Sequence, residues 1–341
     1  MSFSEIPPPP EVVPGQDEPY VRVRPPGPQP RTWLTRAPRT GVPMGRKPPP
    51  LKGGIKADVP GATVVYSTAK GCNVLDVDGN RYVDLAAGFG ALLVGHAHPT
   101  VLRVLALQSE RLLQALGDVH PADAKTPLSE RLGRLYPESG ARVMLGQSGA
   151  DAVSAALKTA LLSTGKPGVL AFEGGYHGLG YGPVAACGLR AGYREPFIEQ
   201  LNPRVEFVPY PDTAEALDES LERARFALSK GDIGAIVVEP VLGRGGVVVP
   251  PAELLRELAE LGRRAGALLI ADEIWTGLGR AGKLLHSLSD GFVPDLICLG
   301  KGLGGGLPLS ACIGSDAVMS SWHREREVVH TSTFAGAPIA C

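Results

Sequence analysis

The strongest constraint on the fold is a repeated strand-then-helix pattern in the second half of the chain. Short apolar runs that fit strands lie at 142–145, 169–172, 234–238, 268–271 and 296–299. Between those runs, apolar residues recur at helical spacing within 151–162, 212–231 and 251–266. This alternation predicts an α/β fold, a mainly parallel sheet sandwiched by helices. In such sheets, ligands bind at the carboxyl ends of the strands.

Two charged residues lie where successive predicted strands end. Asp272 follows the run 268–271, and Lys301 follows the run 296–299 and opens a glycine-rich stretch. A lysine amine condenses with an aldehyde, and an acid keeps a heterocyclic nitrogen protonated, so the pair suits a pyridoxal phosphate site. The alternative is ordinary: a solvated acid at the rim of the sheet and a surface lysine that begins a loop.

Two further motifs fit the same ligand. Ser148, Gly149 and Ala150 precede a predicted helix, where free N–H groups and the helix dipole favour a phosphate, although a simple helix cap is the alternative. Tyr176 and His177 lie on a glycine-flanked turn, which fits either an aromatic ring over a flat heterocycle or a ring packed on the core.

Two more residues have a less specific pattern. Glu239 ends another predicted strand, which places it at the same edge of the sheet as Asp272. Thr333 offers a hydroxyl for a phosphate, or it caps a helix that is expected to start after Pro338.

Charge and cysteine usage exclude several classes of protein. The chain has 341 residues, of which 34 are basic and 35 acidic. This near-neutral charge produces no overall positive electrostatic field that would attract nucleic acid or an anionic membrane, so neither is an expected partner. Five scattered cysteines without a CxxC pair favour free thiols in a reducing compartment, and hence the cytoplasm. His96 and His98 lack a third ligand nearby, so no metal site is expected.

The composition changes along the chain and predicts three regions. Residues 1–55 are rich in proline and are expected to form a disordered or strap-like extension, with a docking peptide as the alternative. Residues 56–110 are predicted to be an N-terminal small-domain segment, with a hairpin turning at Asp78-Gly79-Asn80 and a linking helix over 101–116. Residues 111–341 are predicted to be the cofactor-binding large domain.

Eight motifs between about Gly71 and Cys341 indicate a family. In chain order they read LDVDGNRYVDL, GHAHP, SGADAVSAALKTA, FEGGYHG, VVEPVLGRGG, IADEIWTGLGRAGK, LGKGLGGGLPLSA and HTSTFAGAPIAC. With these motifs the chain resembles the class III aminotransferases, which are pyridoxal phosphate enzymes of fold type I. The resemblance implies transfer of an amino group from an amino acid or ω-amine to a 2-oxo acid in ping-pong half-reactions.

The resemblance also implies roles for single residues. Lys301 would form the internal aldimine and later move a proton between substrate and cofactor, and Asp272 would pair with the pyridine nitrogen. Thr333 would reach the phosphate of a neighbouring subunit, which implies a homodimer with shared active sites. The other residues expected at the cofactor are Ser148, Gly149 and Ala150 at the phosphate, Tyr176 and Ile274 on the two ring faces, Glu239, which matches a glutamate near the substrate, and His177.

Several positions depart from the family pattern. Trp275 stands where many members have a glutamine that bonds the cofactor's phenolic oxygen, and Arg244 stands where many have an acid. We expect both to lie on the substrate side, with Arg244 binding a substrate carboxylate. Family members continue well beyond the position of Cys341, so a fold without the C-terminal small domain is expected. Two other functions stay open: an aminomutase, epimerase or decarboxylase reaction at the same site, and an inactive cofactor-binding remnant.

Overall fold

The computed structural model describes residues 18–25, 27–29, 64–117, 119–289, 291–323 and 328–341. Most of the proline-rich stretch 1–55 lies outside the described residues, so its disordered or strap-like course stays a prediction. The chain divides into two compact units, residues 1–103 and residues 104–341. The domain boundaries expected near 55 and 110 also stay predictions. Within the described residues, no helix is both long enough and apolar enough to cross a membrane.

The first unit holds a three-stranded antiparallel sheet in the order β1-β2-β3. Its strands are β1 (Tyr66–Lys70), β2 (Asn73–Asp76) and β3 (Arg81–Val83), and a short helical segment, α1 (Ala87–Gly90), follows them. The predicted hairpin is confirmed as the antiparallel pairing of β2 with β3. The carboxylate of Asp76 fixes its turn, because it accepts hydrogen bonds from the amides of Asp78 and Asn80 at 3.0 and 2.8 Å.

The helix predicted over 101–116 is shorter in the structure, where α2 spans Pro99–Ser109. The hydroxyl of Ser109 donates to the carbonyl of Ala106 at 2.7 Å. Local side-chain bonds of this kind compete with the helical ladder, and the amide of Arg111 turns back to Gln108. The predicted end at residue 116 was therefore wrong, because the polar run that begins at Gln108 favours a turn.

The second unit is built on a seven-stranded sheet in the order β4-β10-β9-β8-β7-β5-β6. The strands are β4 (Arg142–Gly146), β5 (Gly168–Phe172), β6 (Val205–Val208), β7 (Ile233–Val238), β8 (Leu268–Asp272), β9 (Leu296–Leu299) and β10 (Ser310–Gly314). Strands β6, β5, β7, β8 and β9 pair in parallel, whereas β10 is antiparallel to both β9 and β4. The helices are α3 (Lys125–Gly133), α4 (Gly149–Thr164), α5 (Tyr181–Ala185), α6 (Ala214–Ser229), α7 (Leu254–Ala265) and α8 (Asp316–Met319).

Side-chain alternation along the central strands divides the core between two faces of this sheet. In β7, Ile236 and Val238 pack with α6 and α7, whereas Ala235 and Val237 pack with α4. Every residue of β7 is buried, as expected of a parallel strand covered on both sides. The predicted α/β fold, a mainly parallel sheet sandwiched by helices, is therefore confirmed.

Two strands and one helix cap of this unit differ from expectation. Strands β6 and β10 were not predicted. Strand β10 runs antiparallel directly after the glycine-rich loop and breaks the strand-then-helix rhythm, and β6 is only four residues long with a glutamate inside it. By sequence, Asp212 opens the helical run predicted within 212–231 and would be its N-cap. The cap is Thr213, whose hydroxyl oxygen accepts from the amide of Ala216 at 3.2 Å.

The helix expected after Pro338 is not present as a helix in the structure. The residues that follow Pro338 form a turn, in which two successive amides both donate to the carbonyl of Ala337. Helix formation needs a nucleus of several residues before each added bond becomes favourable, and three residues do not supply it.

Candidate active site

Asp272 and Lys301 lie at the same edge of the large sheet. Strands β8 and β9 are adjacent and parallel, and Asp272 lies opposite Cys298 in their register. Asp272 is the last residue of β8, and Lys301 lies two residues beyond the end of β9. The two groups are close enough for the charge of Asp272 to act on the pKa of Lys301. The structure thus brings the predicted acid and the predicted amine to one place.

Lys301 combines a strained backbone with a desolvated amine. Its φ of 31° lies in the left-handed region, which is uncommon for a residue with a side chain and is frequent at functional sites. Burial lowers the pKa of Lys301, and the positive charges of Arg280 and Arg244 add to that effect. The charges of Asp272 and Glu239 oppose it. The lowered pKa leaves more of the amine uncharged, and therefore nucleophilic, at neutral pH.

Asp272 is a buried carboxylate held by two donors. Its side chain is 3% exposed, and its Oδ2 lies 2.7 Å from His177 Nδ1. A carboxylate only accepts, so Nδ1 carries the hydrogen. The amide of Ile274 donates to Oδ1 at 3.1 Å. Burial alone would lower the pKa of His177, but the hydrogen bond and charge of Asp272 outweigh burial and raise it. Each carboxylate oxygen keeps acceptor capacity for a further donor, such as a ring nitrogen.

Glu239 ties together two loops of the site. It is a buried residue beyond β7, and its Oε1 accepts from the amide of Tyr176 at 2.7 Å while its Oε2 accepts from the amide of Gly243 at 3.0 Å. Burial raises the pKa of Glu239, and the nearby charge of His177 partly opposes the shift. Sequence reasoning placed Glu239 among the cofactor contacts. The structure shows it holding the main chain of the two loops that carry Tyr176 and Arg244.

Glycines allow close packing around Ile274. A Cβ added at Gly149 would lie 2.8 Å from Ile274 Cδ1, and one added at Gly300 would lie 3.2 Å from Ile274 Cγ2. A Cβ at Gly178, where φ is +102°, would lie 2.8 Å from the side chain of Ala150. Three loops therefore approach one another here only because these positions lack side chains. Sequence reasoning missed Gly178 and Gly300 as packing positions, although both lie inside the motifs quoted for the family.

The start of α4 offers an anion-binding end. Ser148 is the N-cap, and its hydroxyl oxygen accepts from the amide of Asp151 at 3.2 Å. The carboxylate of Asp151 in turn accepts from the amides of Gln147 and Ser148. The N–H groups of Gly149 and Ala150, in the first turn, have no acceptor within the helix. Those two groups are therefore main-chain donors that suit a phosphate, and the hydroxyl of Ser148, which accepts from Asp151, still has its own hydrogen to donate.

The ring of Tyr176 is covered on one face by a cation. The guanidinium carbon of Arg244 lies 4.2 Å from the ring centroid, and Tyr193 meets the ring edge-on at 6.1 Å between centroids. One ring face is thus taken by Arg244.

Trp275, the other departure from the family pattern, is half-buried against Gly243, where an added Cβ would lie 3.0 Å from its indole. Arg280 was not predicted, although it stands in the GLGRAGK motif and its charge acts at Lys301.

Thr333 makes no recorded hydrogen bond to Lys301 among the described residues. Its carbonyl accepts a hydrogen bond from the side chain of Gln114, and the neighbouring Ser332 bonds the side chain of Gln147. Thr333 itself is exposed. Its predicted contact with the phosphate of a neighbouring subunit involves a second chain and stays a prediction.

A cavity of about 990 Å³ lies along β4. Its lining includes Arg142, Trp322 and His330, but none of the predicted site residues. The size of this cavity therefore does not make it the catalytic site, because the amine of Lys301 and the carboxylate of Asp272 are not part of its lining, although Asp151 of the first turn of α4 is. The residues around Lys301 do fit the cofactor that the sequence suggests, with an acceptor for a ring nitrogen, a close-packed wall and free amides for a phosphate.

Comparison with known proteins gives a consistent result. Residues 55–341 match the family model described as aminotransferase class-III. The chain is 37% identical over 278 residues to the acetylornithine aminotransferase of Methanopyrus kandleri, which covers 82% of this chain and 68% of that protein. It is 33% identical over 294 residues to the diaminobutyrate--2-oxoglutarate aminotransferase of Haemophilus influenzae, covering 81% of this chain and 63% of that protein.

A solved structure supports the same fold. An amine transaminase from an uncultivated Pseudomonas species, in its pyridoxal-phosphate-bound form, matches with a TM-score of 0.78 at 29% identity, covering 89% of this chain and 72% of that chain. The present chain spans about two thirds of the length of the curated relatives that it matches.

Proposed function

Because the chain belongs to the class-III aminotransferase family, we propose that it moves an amino group from an amino acid or ω-amine to a 2-oxo acid, with pyridoxal phosphate as cofactor. The observation that best supports this is the position of Lys301, whose pKa is lowered by burial, at the same sheet edge as the buried carboxylate of Asp272. Amino donor and 2-oxo acid acceptor are the partners of this reaction.

Pyridoxal phosphate, when bound, supplies an aldehyde that condenses with amines and a ring that withdraws electrons from the reacting carbon. Lys301 would provide the amine that holds the cofactor and, once freed from it, would move a proton between the substrate α-carbon and the cofactor. Asp272 would keep a proton on the ring nitrogen, and His177 orients Asp272 through their 2.7 Å hydrogen bond.

The other predicted residues position the ligand. The N–H groups of Gly149 and Ala150, with Ser148 as the helix cap, would bind the phosphate at the start of α4. Ile274 would pack on one face of the ring, and the face of Tyr176 that Arg244 leaves open would pack on the other. We assign Glu239 to the loops rather than to the cofactor, because both of its oxygens accept main-chain amides.

We also propose a homodimer with shared active sites, in which Thr333 reaches the phosphate of the neighbouring subunit. The exposed side chain of Thr333 and the exposed Phe334 beside it favour contact with a second copy of the chain. A cytoplasmic location, expected from the five unpaired cysteines, stays a prediction.

The reaction is tested in a half-reaction. Protein loaded with pyridoxal phosphate is mixed with a single amine, drawn from acetylornithine, diaminobutyrate and putrescine, without a 2-oxo acid. If the protein transaminates, the bound cofactor at each site should react once, and its absorbance should change accordingly. The original absorbance should return when a 2-oxo acid is added. Lys301→Ala is the matched control and is expected to show neither change.

Other outcomes point to the other functions. Continued product formation without any acceptor would indicate an aminomutase, epimerase or decarboxylase at the same site. A cofactor spectrum that depends on Lys301 but responds to no amine would indicate a cofactor-binding protein without turnover. Either outcome would contradict the proposed transamination.

A further inference from the structure

We propose that a second cavity, outside the Lys301 site, binds a small monocarboxylate with an apolar tail. The cavity has a volume of about 240 Å³ and lies between α4, the short helix α5 and the first residues of β5 and β6. Asp272 and Lys301 lie at or beyond the carboxyl ends of their strands, whereas this cavity lies at the amino ends of parallel strands in the same sheet. The cavity is therefore a separate site, and a ligand there goes beyond the proposed function.

The cavity exists because small residues meet one side of α4. Four side chains of α4 that line the cavity recur at helical spacing and are Ser154, Leu157, Lys158 and Leu161. The five-residue helix α5 contributes only glycine and alanine to the lining. Residues this small do not fill the space beside α4, and the unfilled space is closed below by the sheet.

The lining selects an apolar tail of limited length. Most of the lining is aliphatic, with Leu157 and Leu161 as its largest apolar side chains. A dry apolar cavity of ~150 Å³ binds benzene, so at the same filling a cavity of about 240 Å³ holds roughly nine carbon atoms. A fatty acid of about eight carbons therefore fits, whereas a long-chain lipid cannot bury its whole tail.

The charge around the cavity favours an acidic head group. Among the residues that the structure describes, no acidic side chain lines the cavity, whereas Lys158 lies exposed at its rim. The recorded partners of the Lys158 ammonium are the carbonyl of Val329 and Nδ1 of His330, each at 3.3 Å, and neither is an acid. An ammonium that no acid neutralises attracts an anionic group on a ligand.

The hydroxyl of Ser154 is a second donor for the same head group. It is half-buried, has no hydrogen-bond partner among the described residues, and lies 3.6 Å from the position of an added Cβ at Gly182. A hydroxyl has one hydrogen to donate, which a carboxylate oxygen accepts. Ser154 and Lys158 are four residues apart on one side of α4, so a single carboxylate can contact both.

The test is calorimetric titration of the cofactor-loaded protein with octanoate, butyrate and 1-octanol. Octanoate has four more methylene groups than butyrate, and each buried methylene changes the affinity by about fourfold. Octanoate should therefore bind on the order of a hundredfold more tightly than butyrate. Lys158→Gln should weaken octanoate binding by about two- to fivefold, the range for one exposed ammonium, and leave the binding of uncharged 1-octanol unchanged.

Gly182→Leu tests the cavity itself. An added Cβ at Gly182 meets only Ser154 Oγ within 4 Å, and Gly182 has no positive φ, so a leucine enters the cavity without a clash. Octanoate affinity should then fall by about tenfold or more, because the tail loses its place. Gly192→Leu is the matched control, since Gly192 does not line the cavity and an added Cβ there has no atom within 4 Å. That control should bind octanoate as the wild type does, and both variants should keep the amine half-reaction.

Four results would overturn the proposal. They are no octanoate binding by the wild type, equal octanoate affinity in wild type and Gly182→Leu, an equal loss in Gly192→Leu, and 1-octanol binding as tight as octanoate binding with no effect of Lys158→Gln on either. Octanoate should also leave the absorbance of the bound cofactor unchanged. A change in that absorbance that persists in Gly182→Leu would place octanoate at the cofactor instead, and would equally contradict the proposal.

Discussion

Gly149→Ala is the substitution that most sharply tests the close packing at the cofactor site. The new Cβ would lie 2.8 Å from Ile274 Cδ1 and 2.9 Å from Ile274 Cγ2. Carbon atoms in contact normally lie ~3.5 Å apart or more, so Ile274 must move by at least ~0.7 Å. Because Cγ2 is bonded to the branched Cβ, a terminal rotation does not relieve both contacts. The shift then reaches the main chain of Ile274, whose amide bonds Asp272.

The expected cost follows from two opposing effects. Overpacking a well-filled site costs about 1–3 kcal/mol. Replacing glycine by alanine within a helix contributes about 0.5–1 kcal/mol in the other direction, and Gly149 is the first residue of α4. We therefore expect a net loss of about 1–2 kcal/mol in the free energy of unfolding, with a Tm lowered by about 2–4 °C for each kcal/mol. Pyridoxal phosphate affinity should fall by about tenfold, since Ile274 is proposed to pack on the ring.

Thermal unfolding and an absorbance titration with pyridoxal phosphate measure the two effects. Gly192→Ala is the matched control, because Gly192 has no positive φ and an added Cβ would have no atom within 4 Å. That variant should be as stable as the wild type or slightly more stable. If Gly149→Ala matched Gly192→Ala in both Tm and cofactor affinity, the close-packed wall around Ile274 would be wrong.

Three further predictions concern buried polar groups. His177→Leu removes a hydrogen-bond donor from Asp272, so we expect the free energy of unfolding in urea to fall by about 1.5–3 kcal/mol and cofactor binding to weaken. Unchanged values for both would contradict the role of His177 in positioning Asp272. Glu239→Gln leaves the amide of either Tyr176 or Gly243 without an acceptor, so the free energy of unfolding in urea should fall by about 1–3 kcal/mol. An unchanged unfolding midpoint would rule out the role of Glu239 in holding these two loops together. Burial lowers the folded-state pKa of Lys301 below its ordinary 10.5, so between those two values the unfolded chain binds more protons and stability rises with pH. The Tm of the wild type relative to Lys301→Met should therefore increase as pH rises toward 10.5, and a flat or falling difference would refute the desolvated amine.

The fold was predictable where a local pattern reports on burial. The continuous apolar run of β7 indicates a strand covered on both faces, and its alternating contacts with α4 on one side and with α6 and α7 on the other follow from the period of two along a strand. Strand β10 was not predictable in this way. It pairs with β4, which is more than 160 residues earlier in the chain, and strand order of that kind is set by tertiary packing rather than by local sequence.

The site was predictable in its residue types but not in its contacts. The ends of β8 and β9 indicated Asp272 and Lys301, because parallel strands present their carboxyl ends at one edge. The roles of Glu239 and Arg244 depend on the conformations of two loops, and no spacing rule relates Tyr176 to a cation 68 positions later. The resemblance to a family supplied the cofactor, whereas the stack of Arg244 on Tyr176 came from the structure.

Reductive trapping at Lys301 tests the central claim most directly. The protein is incubated with pyridoxal phosphate, reduced with borohydride so that any bond between cofactor and amine becomes permanent, digested, and mapped by mass spectrometry. The account predicts one modified lysine, Lys301, in the peptide that contains the glycine-rich loop after β9, and no modification of Lys301→Ala under the same conditions. Modification of a different lysine, or of none, would contradict the assignment of Lys301 as the residue that holds the cofactor.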